Sequence, residues 1–297
     1  MVRTLSADVV DTDPAGLGEG PTWDAANQRL LWVDVFAGRV HAADADGVRR
    51  RTWEIGRHVS AALPTSGAEL LLTAREGFVR LAADGTVTPL LDVLGDNTDV
   101  RFNDAKCDPA GLALAGTMAY DSTLGAGALY RLDPGPIDAG PIDAGPSVSV
   151  LLPSRTVSNG MAWNAAGDRF YYIDTTDQRI ATFAYGGASL EEPLSVIDVD
   201  DAEGSPDGMC IDHDGALWVA LWDGGQVRRY TPDGRIDAVI QMPVSRPTSC
   251  AFGGPDGGTL FITSAARGLQ KPEQYAGCVF ALRPGVTGPP ATPWQPL

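Results

Sequence analysis

Three stretches of the chain share one order of residues and decide its fold: GPTWDAANQRLLWVD at Gly20–Asp34, GMAWNAAGDRFYYID at Gly160–Asp174 and GMCIDHDGALWVALW at Gly208–Trp222. In each stretch a short apolar run leads into a polar turn and then into a second run rich in aromatic and β-branched residues. This order is typical of a β-hairpin. Each hairpin is followed by another strand-like segment that ends in Asp-Gly or Gly-Gly, namely GRVHAADADG, QRIATFAYGG and GQVRRYTPDG.

Weaker copies of the same unit bring the number of repeats to six. The repeats begin at Gly20, Ser60, Asp104, Gly160, Gly208 and Ser249, with spacings of 40, 44, 56, 48 and 41 residues. A period of ~40–50 residues is typical of the four-stranded blades of a β-propeller. The sequence therefore predicts an all-β fold, a six-bladed β-propeller with four antiparallel strands per blade, formed as a single domain by residues 1–297.

Two segments lie outside the repeats. The N-terminal run Thr4–Val10 is strand-like, and we expect it to close the ring by pairing with C-terminal strands, which removes an exposed sheet edge. The tandem PGPIDAGPIDAG at Pro134–Gly145 accounts for the longest spacing. Its proline and glycine content disfavours regular structure, so residues 134–148 are interpreted as an insertion loop.

Composition excludes several classes of protein. A formal net charge of −16 makes nucleic acid or an anionic membrane a poor partner, because phosphate binding needs a basic face. No apolar run has the length of a signal peptide or a membrane helix, so we expect a soluble cytoplasmic protein. The four cysteines form no C-x-x-C pair and are expected to be buried free thiols. A closed propeller leaves few sheet edges, so we expect a monomer.

Acidic and amide side chains recur where the repeats begin. They are Glu19, Asn103, Asp104, Asn159 and Asp207. In a propeller these positions open onto one face of the central channel, so the ring would bring their oxygens together. Neighbouring carboxylates repel each other and need a cation, and this donor set suits Ca²⁺, Mg²⁺, Mn²⁺ or Zn²⁺. A single Asp-Gly or Asn-Gly usually only forms a turn, as we expect for Asp46, Asp84 and Asp233, but repetition at equivalent positions favours a site.

Other polar residues near this cluster have less certain roles in the pattern. Arg101 is the lone cation beside the acidic set and either binds a substrate oxygen, which we favour, or pairs with a carboxylate. Asp121 ends the next strand of the same blade and is a candidate for facing the pocket. The three histidines, His41, His58 and His213, look peripheral. No Ser-His-Asp spacing, G-x-S-x-G or H-E-x-x-H motif supports serine-nucleophile or zincin chemistry.

A set of ordered motifs resembles one family of six-bladed propellers, the regucalcin/gluconolactonase/luciferin-regenerating-enzyme (SMP-30-like) family. The motifs are LGEGPTW at Leu17–Trp23, RFNDAKCDPAG at Arg101–Gly111, AGTM at Ala115–Met118, SNGMAW at Ser158–Trp163, SPDGMCID at Ser205–Asp212 and FGGPD at Phe252–Asp256. Each is short, but they occur in the family's order and span nearly the whole chain.

The resemblance implies a metal-dependent lactonase. One divalent ion, Ca²⁺ first and Zn²⁺, Mn²⁺, Mg²⁺ or Fe²⁺ as alternatives, would be held by Glu19, Asn159 and Asp207. The residues implied to contact substrate are Arg101, Asn103 and Asp121. The implied substrate is a small-molecule sugar lactone, opened to the aldonic acid. Ala105 replaces a usual glycine and Asp121 a frequent glutamate, and the shorter Asp121 puts the identity of the sugar in doubt.

Lactone hydrolysis needs a polarised carbonyl, an activated water and a stabilised oxyanion, and Asp207 is our candidate base. Two alternatives stay open. One is a broader esterase or organophosphatase, although no histidine pair is placed for a paraoxonase-like site. The other is a propeller that binds calcium or sugar without catalysis, since a fold does not determine a function. A protein-interaction propeller is least supported, because the motif oxygens are all retained.

Overall fold

The computed structural model describes residues 2–47, 51–133, 145–186 and 189–295. In these parts of the chain the regular structure consists of 25 β-strands and two 3-10 helices, Thr175–Asp177 and Asp201–Glu203. The strands form six sheets whose innermost strands contact one another in cyclic order. The predicted all-β six-bladed propeller is confirmed. No helix in the described ranges has the length and apolar character needed to span a membrane.

The blades follow one another along the chain, each from its inner to its outer strand. Blade 1 consists of β3 Gly18–Asp24, β4 Arg29–Asp34, β5 Arg39–Ala43 and β6 Arg51–Glu54. Blade 2 consists of β7 Val59–Pro64, β8 Leu70–Ala74, β9 Gly77–Leu81 and β10 Val87–Asp92. Blade 3 consists of β11 Val100–Cys107, β12 Ala113–Ala119, β13 Gly127–Asp133 and β14 Ser147–Arg155.

The second half of the ring has the same order. Blade 4 consists of β15 Ser158–Trp163, β16 Arg169–Asp174, β17 Arg179–Ala184 and β18 Ser195–Asp198. Blade 5 consists of β19 Ser205–Ile211, β20 Leu217–Trp222, β21 Gln226–Tyr230 and β22 Ile236–Gln241. Blade 6 has β23 Pro247–Gly253, β24 Thr259–Ser264 and β25 Val279–Leu282. Each of the six repeat starts taken from the sequence lies in an inner strand.

The N-terminus closes the ring, as expected, but with two strands instead of one. β2 Asp8–Asp11 pairs antiparallel with β25 and completes blade 6. β1 Arg3–Ser6 pairs parallel with β22, so blade 5 has a fifth strand. The chain passes from one blade to the next at Ala7, and this crossing lets one short segment cover two sheet edges that would otherwise stay unpaired.

Hydrophobic packing lies mainly between neighbouring blades. Leu31 and Val33 of blade 1 pack with Leu72 of blade 2, and Trp218 of blade 5 packs with Phe280 of blade 6. All these side chains are fully buried. Outer strands such as β10 are more exposed, and each residue of β10 is either half-buried or exposed. Because each sheet is covered on both faces only by its neighbours, the ring must be complete before every blade is buried.

The cysteines and the insertion between blades 3 and 4 were also predicted from the sequence. All four cysteines, Cys107, Cys210, Cys250 and Cys278, are buried and free, as expected. Most of the insertion, residues 134–144, lies outside the described residues. The predicted loop boundary at residue 148 is too late, since Ser147 and Val148 already pair with blade 3 as the start of β14. Their alternation of a polar and a β-branched residue suits an outer strand.

Glycines in the inner strands allow neighbouring blades to approach closely. A Cβ atom on Gly160 would lie 2.6 Å from the carbonyl oxygen of Asp207, and one on Gly208 would lie 2.8 Å from Cα of Ser249. Both distances are too short for a real contact. Packing between blades therefore requires glycine at Gly160 and Gly208. The preceding residues, Asn159 and Asp207, are not constrained by this contact and can have a role at the channel.

We expect Gly208→Ala to destabilise the protein by about 2–3 kcal/mol, because an added methyl group would overpack the contact between blades 5 and 6. Gly145→Ala is the matched control, since no atom lies within 4 Å of its added Cβ. Urea unfolding followed by tryptophan fluorescence measures both variants. Equal midpoints for Gly208→Ala and Gly145→Ala would contradict the close approach.

Candidate functional site

The six inner strands begin at the same end of the propeller, which we call the site face. Each inner strand has an irregular register with its neighbour near this end, between Glu19 and Thr22, Val59 and Ala61, Phe102 and Ala105, Ser158 and Met161, Pro206 and Met209, and Pro247 and Ser249. A β-bulge turns a side chain away from its regular direction. Asn103, Asp104, Asn159 and Asp207 all lie within these irregular segments, which explains how strand residues come to serve the channel.

Three carboxylates interact at this face. Asp104 and Asp207 are buried and Glu19 is partly buried. Desolvation raises the pKa of Glu19 well above its ordinary value, and the charges of Asp207 and Asp104 raise it further. Desolvation also raises the pKa of Asp207, against a hydrogen bond from Asn159 that lowers it. Carboxylates from blades 1, 3 and 5 are thus near enough for their charges to interact.

Asn159, in blade 4, is hydrogen-bonded to the carboxylate of Asp207, in blade 5. Its Nδ2 donates a hydrogen bond to Asp207 Oδ1 and another, of 3.0 Å, to Thr175 Oγ1. Neither bond uses the amide carbonyl oxygen. Asn159 and Asp207 are 4% and 5% exposed, so both are held in place by packing as well as by this contact. The arrangement orients Asp207 and leaves an amide oxygen for a ligand.

Asp104 belongs to the cluster more directly than its neighbour Asn103. It is 6% exposed, and its Oδ2 is buried without a hydrogen bond. Desolvation raises its pKa, while the charge of Lys106 lowers it. Lys106 itself donates from Nζ to the carbonyl oxygen of Met209, in blade 5. A buried carboxylate oxygen without a partner is costly, and it indicates that another group is meant to contact it.

The residues present fit a divalent cation. In the described parts of the chain no group of three or more His, Cys, Asp and Glu side chains is close enough to form a metal site by itself. A cation here would therefore use the Asn159 amide oxygen together with Glu19 and Asp207. The raised pKa values of the two carboxyl groups and the unpaired Asp104 oxygen show a surplus of negative charge that such an ion would relieve. All these ligands are oxygens, as hard cations prefer.

Arg101 lies beside the carboxylates without forming an ion pair. Its Nη1 donates to Asn103 Oδ1 and to the carbonyl oxygen of Phe102, both at 2.9 Å, and its Nη2 contacts Met118 Sδ at 3.1 Å. Its Nε is buried without a partner. No carboxylate oxygen of the described residues is within 4.0 Å of its guanidinium nitrogens. Of the two roles proposed from sequence, ion pairing is therefore absent, and substrate binding stays a prediction.

Asn103 and Asp121 are placed differently from each other. Asn103 accepts from Arg101 and donates from Nδ2 to the carbonyl oxygen of Ser158 at 3.1 Å, so both ends of its amide have protein partners. Asp121 is exposed, and its Oδ1 accepts hydrogen bonds from the Thr123 amide and hydroxyl at 2.9 and 2.7 Å. The structure does not bring Asp121 into the buried cluster. Its contact with substrate stays a prediction.

His58 was expected to be peripheral, but it contacts Phe36, whose ring lies against Arg101. Its Nδ1 lies 2.7 Å from Tyr120 Oη, and its ring contacts the ring of Phe36 with 5.0 Å between centroids. Desolvation lowers the pKa of His58, and the charge of Arg101 lowers it further. The signal was available, since His58 directly precedes the inner strand of blade 2. The other two histidines are remote: His41 contacts Thr52 in blade 1, and His213 contacts Thr287.

Four other aspartates have structural roles, and two of them, Asp84 and Asp233, are the turn formers expected from the sequence. The Asp34 carboxylate accepts from the Gly16 and Leu17 amides, and Asp174 accepts from those of Thr156 and Val157. These bonds fix the segments that enter blades 1 and 4. Asp84 and Asp233 close exposed turns.

Repulsion among the site carboxylates should lower the stability of the metal-free protein. With metal removed by a chelator, Glu19→Gln should have a melting temperature a few degrees above that of wild type at pH 8. A raised carboxyl pKa means that the folded state binds protons more tightly than the unfolded state, so stability falls as pH rises above the ordinary carboxyl range. The advantage of the variant should shrink toward pH 4. Thermal melts between pH 4 and 8 measure it.

The control for that experiment is Glu54→Gln, which removes an exposed carboxylate paired with Arg39. Its melting temperature should differ little from wild type throughout the range, because exposed ion pairs contribute little. A Glu19→Gln protein less stable than wild type at pH 8 would show that the carboxylates are not in conflict.

Comparisons with known proteins show the family and the fold of the chain. The SMP-30/Gluconolactonase/LRE-like region matches residues 17–266. The pentonolactonase XacC of Haloferax volcanii is 32% identical and regucalcin of Gallus gallus is also 32% identical, over 95% and 99% of this chain and the same shares of those proteins. The crystal structure of regucalcin from Agrobacterium tumefaciens, a calcium-binding protein, superposes with a TM-score of 0.87 at 27% identity, covering 99% of both chains.

The matched region contains every candidate residue from Glu19 to Asp207, and the likeness to these relatives extends over the whole ring. The motifs quoted from the sequence are the segments that form the irregular starts of the inner strands. On the match over residues 17–266 and on relatives more than 30% identical over nearly its full length, the chain belongs to the SMP-30/gluconolactonase/LRE-like family.

Proposed function

We propose that this protein hydrolyses sugar lactones to aldonic acids with one divalent metal ion held by Glu19, Asn159 and Asp207. The observation that carries the proposal is the set of buried, mutually repelling carboxylates beside an arginine whose Nε has no partner. Hydrolytic relatives in the family, among them the pentonolactonase of Haloferax volcanii, support the reaction class.

Asp207 is the proposed general base. A divalent ion bound there would polarise the lactone carbonyl and lower the pKa of water. Asp207 accepts the proton of the attacking water, and Asn159 holds its carboxylate in position through the hydrogen bond from Nδ2.

Arg101 is the proposed donor to substrate oxygens. Its Nη1 is held by Asn103 and by the Phe102 carbonyl, so the direction of the guanidinium group is fixed before substrate arrives. Nε, which has no partner in the protein, is left to donate to a substrate oxygen. Asn103 acts in this arrangement mainly by positioning Arg101. Asp121, on the exposed loop after β12, would contact a sugar hydroxyl only if that loop closes over the site.

Calcium is the proposed native ion. Carboxylate and amide oxygens suit a hard cation, and the site offers neither a thiolate nor an imidazole among its proposed ligands. The regucalcin of Agrobacterium tumefaciens is a calcium-binding protein, which favours the same ion here. That relative also supports a second candidate function, a propeller that binds calcium without catalysis.

A hydrolysis assay separates the two functions. Protein stripped with a chelator is assayed by pH indicator on a panel of aldono-1,4- and 1,5-lactones, with Ca²⁺, Mg²⁺, Mn²⁺, Fe²⁺ or Zn²⁺ restored separately. We expect turnover that depends on added metal and is greatest with Ca²⁺. Metal binding with no turnover of any lactone would favour the non-catalytic function. Turnover that survives metal removal in full would contradict the proposed metal.

A further inference from the structure

The site face has a group of arginines without acidic partners. Arg75 directly follows β8, Arg101 lies in β11 and Arg267 follows β24, so three blades contribute. In the described parts of the chain none of the three has a carboxylate oxygen within 4.0 Å of its guanidinium nitrogens. Glu76, next to Arg75, is already paired with Arg57. In a protein with a net charge of −16, unpaired arginines clustered at one place need an explanation.

Phe36 brings these cations together. Its ring centre is 4.1 Å from Cζ of Arg267 and 5.6 Å from Cζ of Arg101. The same ring contacts His58, and His58 contacts Tyr120. The aromatic face attracts both guanidinium groups and holds them on one side of the mouth.

The Arg75 amide donates a hydrogen bond of 3.0 Å to the carbonyl oxygen of His58, so Arg75 lies next to His58. After desolvation, the charges of Arg101, Arg267 and Arg75 all lower the pKa of His58. Arg267 also lowers the pKa of Arg101, which desolvation lowers most. In the described residues the cations repel one another, and the nearby carboxylates of Glu19 and Asp207, whose charges raise the pKa of Arg101, form no ion pair with them. Arg101 is 6% exposed and its Nε has no hydrogen bond, so the cluster includes a buried donor with no partner.

This chemistry suits an anion better than a hydroxyl group. Recognition of sugar hydroxyls needs acceptors as well as donors, whereas guanidinium groups only donate. They bind planar or tetrahedral anions through paired hydrogen bonds. The neighbouring carboxylates Glu19 and Asp207 would repel an anion at the centre of the site, so the anionic group of a ligand belongs on the side of Phe36 and Arg267.

We infer that the substrate is an acidic sugar lactone, whose second, anionic group is bound by Arg75 and Arg267 while its lactone carbonyl lies at the Glu19, Asn159 and Asp207 cluster. The inference rests on the proposed lactonase function and names its substrate class. The shared chemistry is a carboxylate or phosphate remote from the lactone carbonyl. His58, which contacts Tyr120, packs against Phe36, whose ring lies against Arg101 and Arg267.

The test compares matched lactones in the metal-supplied protein. Glucono-1,5-lactone is the neutral probe, glucaro-1,4-lactone supplies a carboxylate and 6-phosphoglucono-1,5-lactone supplies a phosphate. We expect kcat/KM to be at least about tenfold higher for one acidic lactone than for the neutral one. The ratio of the two values should fall about tenfold in Arg267→Gln and in Arg75→Gln, mainly through KM, as loss of a charge-assisted hydrogen bond predicts. The acidic lactone with the higher ratio identifies the anion.

Arg179→Gln is the matched control. It removes an arginine that is exposed at the same end of blade 4 and paired with Asp177, and it should leave the ratio unchanged. Equal or lower kcat/KM for both acidic lactones in wild type would overturn the inference and leave the lactonase in place. An equal fall of the ratio in Arg179→Gln would also overturn it, since net charge alone would then explain the preference.

A binding measurement separates this inference from the proposed function. Calorimetry with glucarate and gluconate reports on the anion site without turnover. Tighter binding of glucarate that is lost in Arg267→Gln supports the inference even if no lactone is hydrolysed. Equal affinities of the two acids in wild type, together with absent turnover, would overturn both proposals.

Discussion

Asp207→Asn is expected to lower kcat for lactone hydrolysis by about three orders of magnitude while the propeller stays folded. An amide cannot accept a proton from water, and removal of a general base typically costs 10²- to 10⁴-fold in rate. The fold should survive because the new side chain keeps an oxygen for the Asn159 Nδ2 hydrogen bond, and Gly208, which the close packing needs, is untouched. Steady-state kinetics with restored metal give kcat, and circular dichroism checks the fold.

Asp233→Asn provides a matched control in the same blade. Asp233 also precedes a glycine, but it is exposed and bonded to Thr231 and Arg235. The control variant should retain wild-type kcat, since the two Asp-Gly pairs differ only in where the fold places them. A kcat for Asp207→Asn within tenfold of wild type would remove Asp207 from the proposed role of base.

Addition of a divalent ion to the chelated protein is expected to raise the melting temperature by about 5 °C. A ligand at one hundred times its dissociation constant stabilises the folded state by about 2.7 kcal/mol, and a chain of this size gains roughly 2 °C per kcal/mol. The shift at fixed metal concentration should be larger at pH 8 than at pH 5, because protons compete for carboxylates whose pKa values are raised. Differential scanning fluorimetry at both pH values measures it.

Glu19→Gln should lose most of this metal-induced shift, because it removes one charged ligand. Asp84→Asn changes a carboxylate that accepts from Thr86 in an exposed turn, and it should keep the full shift. Identical shifts in the two variants would place the metal elsewhere. Together with the melts of chelated Glu19→Gln, this experiment tests whether the close carboxylates destabilise the metal-free protein. Binding sites often reduce the stability of a fold in this way.

Much of the architecture was available from the sequence because a repeat is a local property. Hairpin patterns recurring at 40 to 56 residues fix the strands and their number, and these depend on neighbouring residues only. The start of each inner strand could be located in the same way, so Glu19, Asn159 and Asp207 could be named together. The pairing of the N-terminal segment could be predicted only in part, since only the closed ring shows that residues 3–11 form one strand in blade 5 and another in blade 6.

Side-chain partners in the site could not be obtained from the pattern. His58 and Tyr120 are 62 residues apart, and nothing in either segment points to the other. Asp104 and Asn103 are adjacent in sequence, yet one has a buried oxygen without a partner while the other bonds to Arg101 and Ser158. Asp121 does not end strand β12 as expected but lies in the turn after it, and its carboxylate accepts from Thr123.

The sequence by itself determined the six-bladed ring, the family resemblance and the set of oxygens at the inner strand starts. The alternation of apolar and polar residues, the turn residues and the order of motifs are all properties of the linear sequence. Only the tertiary structure decided which of these groups meet and which cations stay unpaired. Irregular register in the inner strands sets the direction of each side chain, and closure of the ring sets the distance between residues on different blades. Both depend on contacts between distant segments, and so does the surplus of charge that makes this channel a site.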